Sequence, residues 1–281
     1  MISNLKRRAK HNGQVVARAI VNTFFSWTPK ELIAALRRVG IRQNDVVLVH
    51  CSFDGLKGFK GSASDVITAL QTVVGDGGTI LMPNQPFLGS AISYVNSGRA
   101  FDVRRTPSQM GLVSEIFRRS PGVLRSVHPT HPVAAWGAGA RELIADHHAA
   151  TTPCGKGTPY TRFAERNGKI LFLGTNFEVM TYFHCLEEEL EPFMPKSPFT
   201  QETFEIRSKN EQGEWVVTRT RLFDPEMSRK RNLLPLGREL VESGALRQTR
   251  VGLAPIMAID ADQVARLCRN RARQGCFFYD N

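Results

Sequence analysis

The chain has 281 residues, 42% hydrophobic and 22% charged, which suits one large globular domain or two small ones and is too apolar for disorder. No run approaches the roughly 18 apolar residues of a membrane-spanning helix, the start lacks the apolar core of a secretory leader, and five scattered cysteines form no CxxC pair, so a reducing cytoplasm is expected and neither a disulfide framework nor a zinc knuckle is indicated. The net charge of +11 sits at the ends: residues 1–43 carry nine Lys/Arg against one acid, residues 247–281 six Arg against three Asp, and residues 44–246 balance, whereas a nucleic-acid enzyme would carry its basic residues around a cleft.

Residues 1–27 read as a basic arm, and the run Lys6, Arg7, Arg8, Lys10 is either solvated or a contact for an anionic surface. The body is expected to span 28–281. Thr28-Pro29 opens a helix with Glu31 at its third position, and Gly40 stops it. Residues 45–50 (DVVLVH) read as a buried strand. A loop with Gly55, Gly58 and Gly61 follows, then a helix near 62–74 and a second strand, TILMP. This strand–helix–strand unit argues for parallel pairing. Further helices are expected at 107–119, 139–148, 181–190 and 262–273, with strands at 133–137 and 169–174. TFEIRS and EWVVTRT, parted by a turn at 210–213, form a late hairpin. The expected fold is a single α/β domain with a mixed, largely parallel sheet flanked by helices.

The sharpest local signal is TYFHCLEEELE, residues 181–191. On a helix His184, Glu187, Glu188 and Glu191 share one face, while Phe183, Leu186 and Leu190 share the other. With Thr181 as N-cap, His184 falls in the first turn, where the helix dipole disfavours imidazolium and Glu187 favours it. The balance could leave a neutral general base. The ordinary alternative is a solvated acidic face carrying an incidental histidine. The second signal is His50-Cys51-Ser52 at a strand end, before glycines spaced G-x-x-G-x-x-G. Ligands gather at such places, although the spacing matches neither a dinucleotide fingerprint nor a P-loop. Third, His128-Pro-Thr-His131 and His147-His148 invite a metal reading. The prolines make the first pair a turn and no Cys or Asp stands at ligand spacing, so no metal is expected. Cys185 beside His184 diverges from it around the helix, which makes a poor nucleophile pair, and Cys51 or Cys154 could meet only a distant histidine.

Taken in order, VVLVHCSFDGL, GDGGTILMPN, RRTPSQMGLVSEIFRRSPGVLRSVHPTHPVAAWGAGA, GKGTPYTRF, GKILFLG, TYFHCLEE and RVGLAPIMAIDADQVARL resemble the aminoglycoside 3-N-acetyltransferase family over about residues 28–272. The resemblance implies acetyl-CoA-dependent acetylation of an amine, with no metal. The family pattern T-x-x-H-x-x-E falls on Thr181, His184 and Glu187. It implies His184 as base, Glu187 as its supporting carboxylate and Thr181 as a candidate oxyanion donor. It implies that His50, Ser52, Phe53 and Asp54 hold pantetheine and phosphates, and that Thr106, Ser108 and Met110 line the same channel. Cys51-Ser52-Phe53 departs from the usual family loop, which shows a second Ser and a Leu. The acids Glu188, Glu189 and Glu191 would attract a polycationic acceptor, with Glu188 and Glu191 as substrate contacts. Two rivals stand beside an aminoglycoside acceptor: a biosynthetic amino sugar in cell-surface polysaccharide synthesis, and a non-catalytic protein resting on an anionic surface.

Overall fold

A computed structural model of the chain describes residues 21 and 23–280, so Lys6, Arg7, Arg8, Lys10 and Arg18 of the basic arm lie outside the described residues. In chain order the elements are α1 (Pro29–Arg38), β1 (Val46–Cys51), α2 (Ala63–Val74), β2 (Thr79–Pro83), α3 (Ala91–Asn96), β3 (Phe101–Asp102), α4 (Leu112–Arg118), β4 (Leu124–Arg125), β5 (Val133–Gly137), α5 (Ala140–Ile144), α6 (Pro159–Glu165), β6 (Lys169–Leu173), α7 (Phe183–Leu190), β7 (Phe199–Lys209), β8 (Trp215–Phe223), α8 (Pro225–Lys230), α9 (Leu234–Glu242), β9 (Arg247–Val251), β10 (Ala254–Asp260) and α10 (Ala261–Ala272).

Seven strands form one mixed sheet in the order β4-β5-β2-β1-β6-β10-β9. Parallel pairing is confined to the centre, where β1 lies between β2 and β6. The flanks β5–β4 and β10–β9 run antiparallel to their neighbours. The sheet is therefore mixed, as expected, with a parallel centre narrower than the strand–helix–strand unit suggests, because α2 is the crossover of the β1–β2 pair and the outer strands return without one. The late hairpin pairs β7 with β8 in a separate three-stranded sheet with β3.

The two-residue period of the strands sorts side chains to two faces. Val47, Val49, Ile80, Met82, Leu171 and Leu173 pack against α1, α2 and α4. Leu48, Leu81, Ile170 and Phe172 point the other way, towards α5, α6, α7, α9 and α10. His50 follows the same alternation as Leu48, so the pleat aims it at the face that α7 covers. Helix α2 shows why these elements form. Ser62 caps it reciprocally with Asp65 (3.2 and 2.7 Å), and Val66, Ile67, Leu70, Val73 and Val74 are buried along one side, each worth about 1.5–3 kcal/mol relative to exposure.

Trp27, placed by sequence in the arm, belongs to the body. It is 1% exposed, its indole N–H donates to the Lys57 carbonyl (2.8 Å), and its backbone brackets Gly58 and Lys60 (3.0 and 2.7 Å). A large aromatic ring at the edge of a charged run is buried by the loop it meets, which the run's composition does not show. The expected helix at 107–119 contracts to α4, because residues 106–110 fold as a loop around buried Ser108. That at 139–148 splits into α5 and a short 3₁₀ turn at His147–Ala149.

Candidate active site

The carboxyl ends of the parallel strands set the place of the site, as in other α/β sheets. His50 ends β1. The segment after β6 leads through Gly174 and a 3₁₀ turn at Phe177–Val179 into α7. Because β5 runs antiparallel to β2, with Val133 opposite Pro83, the residues just before β5 arrive at the same edge. Asn84 N–H donating to the Pro132 carbonyl (2.9 Å) fixes them there. The loops after β1 and β6 touch backbone to backbone: a side chain at Gly55 would overlap the Gly174 carbonyl. A cleft of about 520 Å³ opens at this edge, lined by His184, His131, Met110, Phe223 and Arg231 among others.

His184 stands in the first turn of α7, but the cap is Tyr182 and not Thr181. Thr181 lies in the turn before the helix, where its carbonyl accepts the His184 N–H (3.0 Å). The Nδ1 of His184 donates to Glu187 Oε2 (2.6 Å), which leaves the Nε2 lone pair for a proton. Glu187 is almost wholly buried, and its other oxygen accepts from Arg231 Nε (2.7 Å) and from the Tyr279 hydroxyl. Burial and then the Arg231 guanidinium push the His184 pKa below the usual histidine range, against the pull of Glu187. Glu187 itself is held below the carboxylate range by Arg231 and His184, against its burial. The result is a neutral imidazole fixed by a carboxylate whose charge a buried guanidinium offsets. Arg231, Tyr279 and Phe223, whose ring centre lies 4.5 Å from that of His184, were not legible in the sequence. They come from 44 and 92 residues beyond Glu187 for Arg231 and Tyr279, with no local pattern to mark them.

The acidic row does not meet the cleft. Glu188 accepts from the Thr152 hydroxyl and sits on Gly155, where any side chain would overlap it. Glu191 forms a two-pronged pair with Arg221 (2.8 and 2.7 Å) and accepts from Ser197 (2.5 Å). Glu189 pairs with Arg269 (2.5 and 2.9 Å). Glu188 and Glu191, expected as substrate contacts, are held by these partners and stand outside the lining of this cleft. They share the sequence face of His184, but cations and hydroxyls from distant segments have already claimed them.

The strand-end loop is placed at the same edge. His50 is buried against Phe172 (ring centres 5.4 Å apart), and burial, then His184, brings its pKa down to about 3. The ring is therefore neutral and buried at the strand end. Ser52 caps a short 3₁₀ turn, its Oγ accepting from Gly55 N–H (3.3 Å). Phe53 packs edge-on against Phe59, and Asp54 is exposed. Thr106 Oγ accepts from Asp102 N–H (2.8 Å), and Ser108 Oγ lies 3.0 Å from Ser114 Oγ, so both hydroxyls shape their loop. Of the three residues of that segment, Met110 lines the cleft.

In HPTH, His128 braces its own turn. His128 Nδ1 accepts the backbone N–H groups of Thr130 and His131 (3.3 and 3.1 Å), and its ring stacks on His147 at 4.5 Å. The thiols of Cys51, Cys154 and Cys185 are unsuited to nucleophilic work: burial pushes Cys51 up to about 12 and raises Cys154 and Cys185 as well.

The sequence profile of a family described as aminoglycoside 3-N-acetyltransferase matches residues 48–272. Aminoglycoside N(3)-acetyltransferase IV from Salmonella is 32% identical over 177 residues, 62% of this chain, and the match spans 62% of that enzyme, less than two thirds of its length. Aminoglycoside N(3)-acetyltransferase IX from Micromonospora chalcea is 28% identical over 256 residues, 84% of this chain and 89% of the relative. Among solved structures, a His-to-Ala variant of aminoglycoside acetyltransferase AAC(3)-IVa in complex with a gentamicin superposes with a TM-score of 0.73 at 27% identity, covering 90% of this chain and 92% of that one.

Proposed function

Because the chain belongs to the aminoglycoside 3-N-acetyltransferase family, we propose that it transfers the acetyl group of acetyl-CoA to an amine of an aminoglycoside, with His184 as general base and Glu187 as the carboxylate that orients it. The observation that carries the reading is the 2.6 Å contact of His184 Nδ1 with buried Glu187 at the wall of the cleft. An amine must lose a proton before or during attack on a thioester. Nε2 of a neutral imidazole takes that proton, and the imidazolium that forms is stabilised by Glu187. The amine nitrogen bonds to the acetyl carbon, the C–S bond breaks, and the proton passes from His184 to the departing thiolate. No covalent acyl-enzyme is needed when both substrates sit in the cleft together.

Acetyl-CoA is the donor. The pantetheine arm is assigned to the edge where the loop of Ser52, Phe53 and Asp54 meets Met110, with Thr106 and Ser108 shaping that loop. Thr181 stays beside the base as a candidate donor. Residues from Trp27 onwards form the catalytic body, with the arm before it. A reducing cytoplasm, which supplies acetyl-CoA, is supported by five unpaired cysteines, and among the described residues no helix is long and apolar enough to cross a membrane.

One observation favours the second acceptor class. Among the described residues the cleft is lined by no acid and by Arg229, beside Arg231 whose charge Glu187 offsets, which suits an amino sugar that also carries an anion, such as a nucleotide-linked one. The deciding experiment compares kcat/KM for an aminoglycoside panel with that for nucleotide-linked amino sugars, read by release of free CoA thiol. Faster turnover of an aminoglycoside supports the first reading; far faster turnover of a nucleotide-linked sugar replaces it with the second.

A further inference from the structure

Building on the acetyltransferase reading, we propose that His131 is a further catalytic residue, whose Nε2–H donates a hydrogen bond to the oxyanion that forms when the amine adds to the acetyl carbonyl. His131 lines the same cleft as His184. Their ring centres are 5.9 Å apart and the planes nearly perpendicular (86°). A tetrahedral adduct separates its nitrogen and oxygen by about 2.4 Å, and hydrogen bonds of about 3 Å at each end let one imidazole hold the nitrogen's proton while the other holds the oxygen.

The local hydrogen bonds decide which ring nitrogen carries the proton. Backbone N–H groups of Thr130 and His131 both donate to His128 Nδ1 (3.3 and 3.1 Å), so that lone pair is taken. The Thr130 hydroxyl lies 3.4 Å from His128 Nδ1 but 3.0 Å from His131 Nδ1. It therefore donates to His131, and the proton of the neutral His131 ring resides on Nε2. The other nitrogen of His128 is also protonated, but it is buried without a partner, whereas His131 borders the cleft. Burial, then His184, His147 and Arg231, keeps His131 neutral well below the ordinary histidine range. A neutral N–H donor keeps its own proton throughout the step: the amine proton goes to His184 and on to the thiolate. Phe87 and Phe223 hold the His131 ring edge-on at 6.1 and 5.4 Å, so the donor is positioned before substrate arrives.

The test pairs two variants with one spectrum. His131→Phe keeps a ring between Phe87 and Phe223 and removes the donor. Its kcat for acetyl transfer is expected to fall by about 10²–10³, with KM for both substrates and Tm close to those of the parent. His131→Gln supplies an amide N–H and is expected to recover part of the loss. Nitrogen-15 spectra of histidine-labelled parent protein should show His131 neutral at pH 7 with its proton on Nε2. A folded His131→Phe protein within about threefold of the parent kcat overturns the proposal, as does an Nδ1–H tautomer in the intact protein. Where neither variant folds, the spectrum decides. A parent that turns over no amine sinks the acetyltransferase reading itself, which the His131 variants cannot do.

Discussion

At the scale of single residues the chemistry rests on one neutral imidazole. His184→Ala removes the base but leaves the Glu187–Arg231 pair intact (2.7 Å), so the variant should fold and lose at least about 10² in turnover. Glu187→Gln is a harsher change than its orienting role suggests. It leaves the Arg231 guanidinium without its counter-charge, and breaking such a buried pair costs about 3–5 kcal/mol. Urea denaturation should show that loss, and a Glu187→Gln protein as stable as the parent would contradict the buried pair. The pH profile carries the same logic. The pKa of His184 lies below the ordinary value, so kcat/KM should stay level as pH falls through 6.5 and drop only below it. A bend at pH 6.5 that does not move when the acceptor amine's own pKa is changed would place an unperturbed histidine at the site. In any Glu187→Gln protein that remains folded, the negative charge favouring imidazolium is gone, so the acid limb moves further down and not up.

At the scale of elements, the packing of loops explains what holds the site. Gly55→Ala drives a methyl group into the Gly174 carbonyl and should separate the β1 loop from the one leading to α7, lowering both Tm and turnover. An unchanged Tm would show that the two loops are free to part. Trp27→Ala empties a fully buried ring site and should cost about 3–5 kcal/mol, read as a lower urea midpoint. Much of this organisation was legible in the sequence. The cap at Thr28, the β-branched runs of β1 and β2, and the H-x-x-E spacing on α7 are local, and local patterns survive folding. The partners of that helix were not. Arg231 on the segment after α8, Tyr279 near the chain end, and Arg221 on β8 reach α7 only through tertiary packing. For Glu188 and Glu191 a helical wheel shows which residues share a face, and not that Thr152 and Arg221 from other chain segments bind them. His128 and His131 were read as a failed metal pair. Their role depends on which backbone amides fall on which ring nitrogen, a detail that a four-residue turn acquires only once β5 is paired.

At the scale of the whole molecule, burial of histidine sets the response to acid. His50, His128, His131, His147 and His184 all have lowered pKa values, with burial the first cause in each, and those of His50 and His147 are brought to about 3. Below the unfolded value of 6.5 the unfolded chain binds protons that the native one refuses, so stability is present above pH 6.5 and is lost as pH falls. Each such histidine contributes about 1.4 kcal/mol per pH unit. Tm should therefore fall steeply between pH 6.5 and 5, before most carboxylates protonate, and a Tm level over that range would contradict the burial of these rings. Of these rings His131 and His184 line the cleft, where charged rings would repel an ammonium substrate. The most direct measurement is kcat/KM for acetyl-CoA-dependent acetylation of gentamicin, read by thiol release, for the parent and for His184→Ala at equal Tm. Clear turnover by the parent and a loss of about 10² or more in the variant are expected. Near-parental turnover by a folded His184→Ala protein would contradict the role of His184 as base.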